Sequence, residues 1–285
     1  MYKCFRVKKL IVPVIIILCI AFFFMGKKLF SIAYPEEKPV KLPVIMYHSI
    51  YTDSPSEYAV TPQQLENDMK WLHDNGYKTV SAQNLCDYVF NNGSLPEKCV
   101  MITLDDGYYN NIRILPLLEK YDMCAVISIV GKYTDEYAEN DPHNLNYSYL
   151  TWKDINDLLD SGRVEIGNHT YDMHSLYNGR KGCAKNASES ENDYVSAISA
   201  DISLMQEKIR ENTGISPFIF TYPFGAVSPE SRSVLRENGF LITFTCRELP
   251  NYITRDPKSL LGTGRCNRSG LYSTEEFMEK CIVHS

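Results

Sequence analysis

Two acids and two histidines are the side chains of this sequence whose types and spacing best suit catalysis. The segment TLDDGYYN at 103–110 ends an apolar run on adjacent carboxylates, Asp105 and Asp106, followed by Gly107. Consecutive side chains leave a strand on opposite faces, so paired acids at a strand tip can divide the work, one binding a cation while the other handles a proton. Gly107 lets the backbone turn sharply behind them. A second apolar run, VEIGNHTYDMH at 164–174, delivers His169 and His174, two of the chain's six histidines. Their five-residue separation converges two imidazoles across a loop rather than along one face of a helix. Neutral imidazoles plus a carboxylate are the usual ligands of a catalytic divalent metal, Zn²⁺ first, with open positions left for water. Metal-assisted hydrolysis is the chemistry this set predicts, with Co²⁺ or Ni²⁺ as alternative metals.

Such residues need a frame. Six short apolar runs read as buried strands: PVIMYH at 43–48, CVMITLDD from Cys99, CAVISIVG from Cys124, VEIGNHT from Val164, FIFTYP from Phe218 and FLITFTC from Phe240. Between them lie amphipathic stretches. Thr61-Pro62 opens a helix with Leu65, Met69 and Leu72 inward and Gly76 as its stop. Leu85, Tyr88 and Val89 mark a second helix. Thr151 caps a third that carries Trp152, Ile155, Leu158 and Leu159 to Gly162. Val195, Ile198, Ile202, Met205 and Ile209 mark a long fourth. A short one is expected to be capped at Ser228-Pro229. Alternating strands and helices predict a parallel α/β architecture, and polar residues gathered at the strands' C-terminal ends favour a distorted (β/α) barrel over an open sheet.

Composition narrows the partners. A net charge of −6 over 285 residues leaves no basic footprint, which excludes nucleic acid. The chain is long enough to bury a full core without disulfides or a second subunit, so a monomer is expected. Nine cysteines follow no CxxC or other metal spacing, and the seven beyond the apolar N-terminal segment read as small buried hydrophobes with room for one or two bridges. Twenty tyrosines pair an apolar face with a hydroxyl, which suits sugar rings. At the N-terminus, Lys3, Arg6, Lys8 and Lys9 precede an unbroken apolar run over 10–25, closed by Lys27 and Lys28. Residues 1–30 therefore read as a cytoplasmic basic end and an uncleaved single-pass membrane anchor, with signal cleavage and secretion as the alternative. Residues 31–41, rich in proline and charge, read as a linker. The exported catalytic domain is expected over 42–285.

The motifs, in this order and spacing, resemble those of the polysaccharide deacetylases, carbohydrate esterase family four. TLDDG is similar to that family's T-F-D-D-G, NHTYDMH from Asn168 to its histidine motif, FTYPFG from Phe220 to its third motif, and PVIMYHSI from Pro43 to the opening strand of the branch that includes the biofilm poly-N-acetylglucosamine deacetylases. The resemblance implies that Asp106, His169 and His174 bind the metal and that Asp105 is the general base. It also implies that a backbone N–H at the third motif, Tyr222-Pro223, supports the developing oxyanion.

Three departures stand out. The arginine that normally opens the third motif and pairs with the base is absent from FTYPFG, and the fourth motif's Asp-Trp pair is missing. Arg265 and Arg268, in GTGRCNRSG, are candidates for the lost arginine but read as a solvated loop. The general-acid histidine has two candidates, His48 at the end of its strand and His284 near the C-terminus, and His48 is preferred for its position. The expected function is removal of N-acetyl groups from amino sugars of an extracellular poly-N-acetylglucosamine-like polysaccharide. The alternatives are a peptidoglycan or chitooligosaccharide deacetylase, an O-acetyl xylan esterase, and a non-catalytic glycan-binding protein.

Overall fold

The computed structural model describes residues 14–25, 38–51, 54–177 and 179–283. The chain divides into two units, Met1–Pro39 and Val40–Ser285. In the first, residues 14–25 are helical with exposed apolar side chains. Among the described residues no helix is long and apolar enough to cross a membrane, and the basic flanks of the expected anchor lie outside them.

In the second unit the apolar runs become strands β1 (Val44–Tyr47), β3 (Cys99–Leu104), β4 (Ala125–Ile129), β5 (Val164–Asn168), β6 (Ile219–Thr221) and β7 (Ile242–Phe244). All pair in parallel, in the order β7-β6-β5-β4-β3-β1. Every residue of β3 and β4 is buried, as expected of parallel strands covered on both faces. Two short strands of this sheet escape the sequence pattern: β2 (Lys78–Thr79) beside β3, and β8 (Cys266–Asn267) beside β1. The sheet curls. Phe244 of β7 bridges in parallel to Thr263, just before β8, so the segment leading into β8 bonds toward β7 while β8 bonds to β1.

Helices α1 (Pro62–Asp74), α2 (Ala82–Phe90), α3 (Leu115–Tyr121), α4 (Gly131–Asn140), α5 (Trp152–Asp160), α6 (Glu191–Thr213), α7 (Ser231–Glu237) and α8 (Thr274–Met278) complete the α/β alternation. Capping boxes start α1 at Thr61/Gln64 and α5 at Thr151/Asp154. The expected cap at Ser228 is not formed: its hydroxyl accepts from the Lys185 N–H at 2.7 Å, and α7 begins at Ser231. Val40 and Lys41, assigned to the linker by the sequence pattern, pair antiparallel with Ile253 and Tyr252, so the fold starts two residues early. Every described cysteine is free.

Candidate active site

The C-terminal ends of β3 and β5 bring Asp106, His169 and His174 together. Asp106 lies two residues past the end of β3 and adopts φ +71°, outside the range that most residues use. Gly107 behind it also has positive φ, and a Cβ there would meet Ile129 Cγ2 at 2.8 Å, so only glycine fits. His169 follows β5, and its Nδ1 lies 2.8 Å from the Thr221 carbonyl, which fixes the proton on Nδ1 and leaves the Nε2 lone pair bare. Nε2 of His169 and of His174 sit 3.5 and 3.1 Å from Asp106 Oδ1. The three donor atoms lie within 4.8 Å of one another. Asp106 Oδ1 is itself buried with no hydrogen-bond partner, which is otherwise costly for a carboxylate oxygen. An orphaned carboxylate oxygen facing two imidazole nitrogens fits a divalent cation. Burial alone would raise the Asp106 carboxyl, but the two imidazoles outweigh it and hold the group far below the usual carboxylate range.

Asp105 points elsewhere and is 2% exposed. Arg265 grips it with both arms of its guanidinium, Nη1 to Oδ1 and Nη2 to Oδ2, each at 2.7 Å. The same guanidinium donates to Thr103 Oγ1 at 3.2 Å and, through Nε, to the Thr245 carbonyl at 3.1 Å. Burial pushes Asp105 up, yet the Arg265 charge and hydrogen bonds prevail and hold it below the ordinary range. The solvated-loop reading of Arg265 and Arg268 is therefore corrected, since each is 1% exposed. Arg265 reaches Asp105 from the segment that joins β7 to β8. Arg268 binds a different acid, Asp68, at 2.7 and 3.1 Å, in a buried network with Tyr47 and Thr274.

His48 follows β1 and lines the same cleft, its Nδ1 buried without a partner and its ring set edge-on to Tyr58 at 5.2 Å. Burial lowers its pKa, against the pull of Asp105 and Asp106. His284 lies outside the described residues.

The oxyanion assignment to Tyr222 and Pro223 is corrected. The Tyr222 N–H is spent on the Phe244 carbonyl at 3.1 Å, because the β6–β7 ladder runs one residue past the strand end, and Pro223 has no N–H. The Tyr222 hydroxyl is turned to Ser231 Oγ at 2.9 Å. Phe224 lines the cleft in their stead: φ +55° tips its ring to within 4.6 Å of the His174 ring. The cleft, about 710 Å³, is also walled by Tyr108, Lys181, Cys246 and Asn267. None of these five was foreseen. Tyr108 and Phe224 fall inside the quoted segments TLDDGYYN and FTYPFG, which was the only signal for those two; Lys181, Cys246 and Asn267 had none.

The comparisons agree with this geometry. A profile of the polysaccharide deacetylase family matches residues 92–242, which include Asp105, Asp106, His169 and His174. YxkH of Bacillus subtilis (strain 168) is 30% identical over 221 residues, covering 77% of this chain and 69% of that protein. The poly-beta-1,6-N-acetyl-D-glucosamine N-deacetylase of Escherichia coli (strain K12) is 26% identical over 70% of this chain, but this chain spans only 33% of that protein's length. The solved structure of a de-N-acetylase from Aggregatibacter actinomycetemcomitans superposes with a TM-score of 0.67 at 26% identity, covering 82% of this chain and 96% of that one. With the motifs, the curled parallel sheet and a profile match over more than half its length in accord, the chain belongs to the polysaccharide deacetylase family.

Proposed function

We propose that this polysaccharide deacetylase removes N-acetyl groups from a poly-N-acetylglucosamine-like polysaccharide, using a divalent metal, Zn²⁺ first. The observation that carries the reading is the pairing of a buried, arginine-held Asp105 with the Asp106, His169 and His174 cluster in one cleft. Asp106, His169 and His174 would hold the cation, which supplies a Lewis acid for the acetamide carbonyl and lowers the pKa of water. Asp105, kept ionised by Arg265, accepts the proton of the attacking water. His48, with a free Nδ1 in the same cleft, is assigned to protonate the sugar nitrogen as the C–N bond breaks and acetate leaves. The glycan assignment is supported by the relatives named for poly-beta-1,6-N-acetylglucosamine. The basic residues flanking the apolar run at 10–25 support display outside the cytoplasm on a membrane anchor, which cell fractionation with and without residues 1–30 tests.

A glycan-binding protein without chemistry is the rival reading, and the intact Asp105–Arg265 pair speaks against it. Metal retention alone would not need a second, arginine-held acid. The test is acetate release from β-1,6-linked N-acetylglucosamine oligomers, with chitin oligomers and peptidoglycan as parallel substrates. Asp105→Asn should abolish release and keep about one metal ion per chain, as expected for a three-ligand site. Wild type that binds a glycan yet releases acetate from none would establish the rival.

A further inference from the structure

We infer that Asp201, on α6, is a positioning residue that sets metal affinity by clamping the loop between the two histidines. The inference rests on the metal reading above. That loop, Thr170-Tyr171-Asp172-Met173, has no regular structure, so its backbone polar groups need partners from elsewhere. Asp201 supplies two of them: Oδ1 accepts from the Tyr171 N–H and Oδ2 from the Asp172 N–H, each at 2.8 Å. From the other side, the first turn of α4 donates its Gly131 and Lys132 N–H groups to the Thr170 and Tyr171 carbonyls at 3.1 and 2.9 Å. A Cβ on Gly131 would come within 2.6 Å of the Tyr171 ring, so α4 approaches the loop as closely as a backbone can. Four consecutive polar groups of the loop are thus fixed from two directions.

The two histidines depend unequally on this clamp. His169 is held independently, its N–H by the Ile129 carbonyl and its Nδ1 by that of Thr221. His174 lies at the far end of the loop, where its carbonyl accepts from the Tyr133 hydroxyl at 3.2 Å and its ring lies against Phe224. Losing Asp201 therefore frees the path to His174 while leaving His169 in place. Groups that orient ligands from outside the ligand set typically govern about 10–100-fold in metal affinity.

The test is the Zn²⁺ dissociation constant of the full chain, measured by chelator competition, together with the visible absorption of the Co²⁺-loaded protein. Asp201→Ala should weaken Zn²⁺ binding by roughly 10–100-fold and alter the Co²⁺ bands, because one imidazole is no longer held in place. Asp201→Asn, which keeps a single acceptor, should fall between Asp201→Ala and wild type, and it decides the matter if the alanine variant does not fold. Glu165→Ala is the matched control. That carboxylate likewise accepts two consecutive N–H groups, those of Ala82 and Gln83 at 2.6 and 2.9 Å, but at the start of α2 rather than in the loop. Its loss should leave the Zn²⁺ constant unchanged. Equal affinity in wild type and the Asp201 variants, or an equal loss in Glu165→Ala, overturns the inference while the metal reading stands. Failure of wild type to bind Zn²⁺ at all overturns the metal reading itself.

Discussion

Arg265→Met tests how Asp105 is kept charged. Methionine occupies a similar volume but removes both 2.7 Å bonds to Asp105 and those to Thr103 and Thr245. A carboxylate that is 2% exposed is then left without a counter-charge. Breaking a buried pair from one side costs about 3–5 kcal/mol, a large share of the roughly 5–15 kcal/mol that holds a domain folded. At about 2–4 °C per kcal/mol for a domain of this size, the melting temperature should fall by about 6–20 °C. Asp105→Asn/Arg265→Met should recover much of that loss, because a neutral amide needs no guanidinium, giving a coupling energy of about 1–3 kcal/mol in the double-mutant cycle. The measurement is thermal or urea unfolding of chelator-treated protein across pH.

The sign of the pH dependence is a second readout of the same pair. In wild type, burial raises Asp105 but Arg265 prevails, so the native pKa lies below the unfolded one. Its stabilisation is present above the unfolded value and is lost as pH falls through the native value. Without Arg265 the burial effect dominates, the native pKa moves above the unfolded one, and the sign reverses. The variant should be penalised at neutral pH and relieved as pH falls through the raised value, with the acid limb of kcat/KM shifted upward. Additive single-variant effects, or parallel pH curves for wild type and variant, would refute the reasoning.

His48→Ala should cut turnover while metal content and melting temperature stay near wild type, checked by acetate release alongside metal analysis; loss of the metal would reassign His48 as a ligand. Asp68→Ala strands Arg268, whose guanidinium it receives at 2.7 and 3.1 Å inside the core. It should cost about 3–5 kcal/mol in urea unfolding yet leave kcat per folded molecule unchanged at low temperature.

The six main strands were legible because each is an apolar run punctuated by turn residues. The capped helices were legible because Thr61 and Thr151 carry cap chemistry directly before periodic apolar faces. β2 and β8 were not: each is two residues long, drawn from Lys-Thr and Cys-Asn, and exists only because a neighbour offers a free ladder edge. The Asp106, His169 and His174 cluster could be read locally, since Asp106 lies two residues past β3 and both histidines follow β5. Arg265 could not, because local sequence gives no sign that an arginine is buried. What buries it is an acid 160 positions earlier in the chain, brought near only by the curl of the sheet. Tyr222 failed for the converse reason: its motif marks a strand end, whereas the ladder continues one residue further and consumes the N–H.

That separation also orders the assembly of the site during biosynthesis. The chain is made from its N-terminus, so Asp105, Asp106 and both histidines emerge well before Arg265 does. Contacts between distant segments form late, because closing a long loop costs entropy before the contact repays it. A growing polypeptide can therefore gather Asp106, His169 and His174 while Asp105 still lacks its counter-charge. The Asp105–Arg265 pair closes only when the segment preceding β8 settles between β7 and β1, which ties completion of the proposed site to the near-completion of the fold.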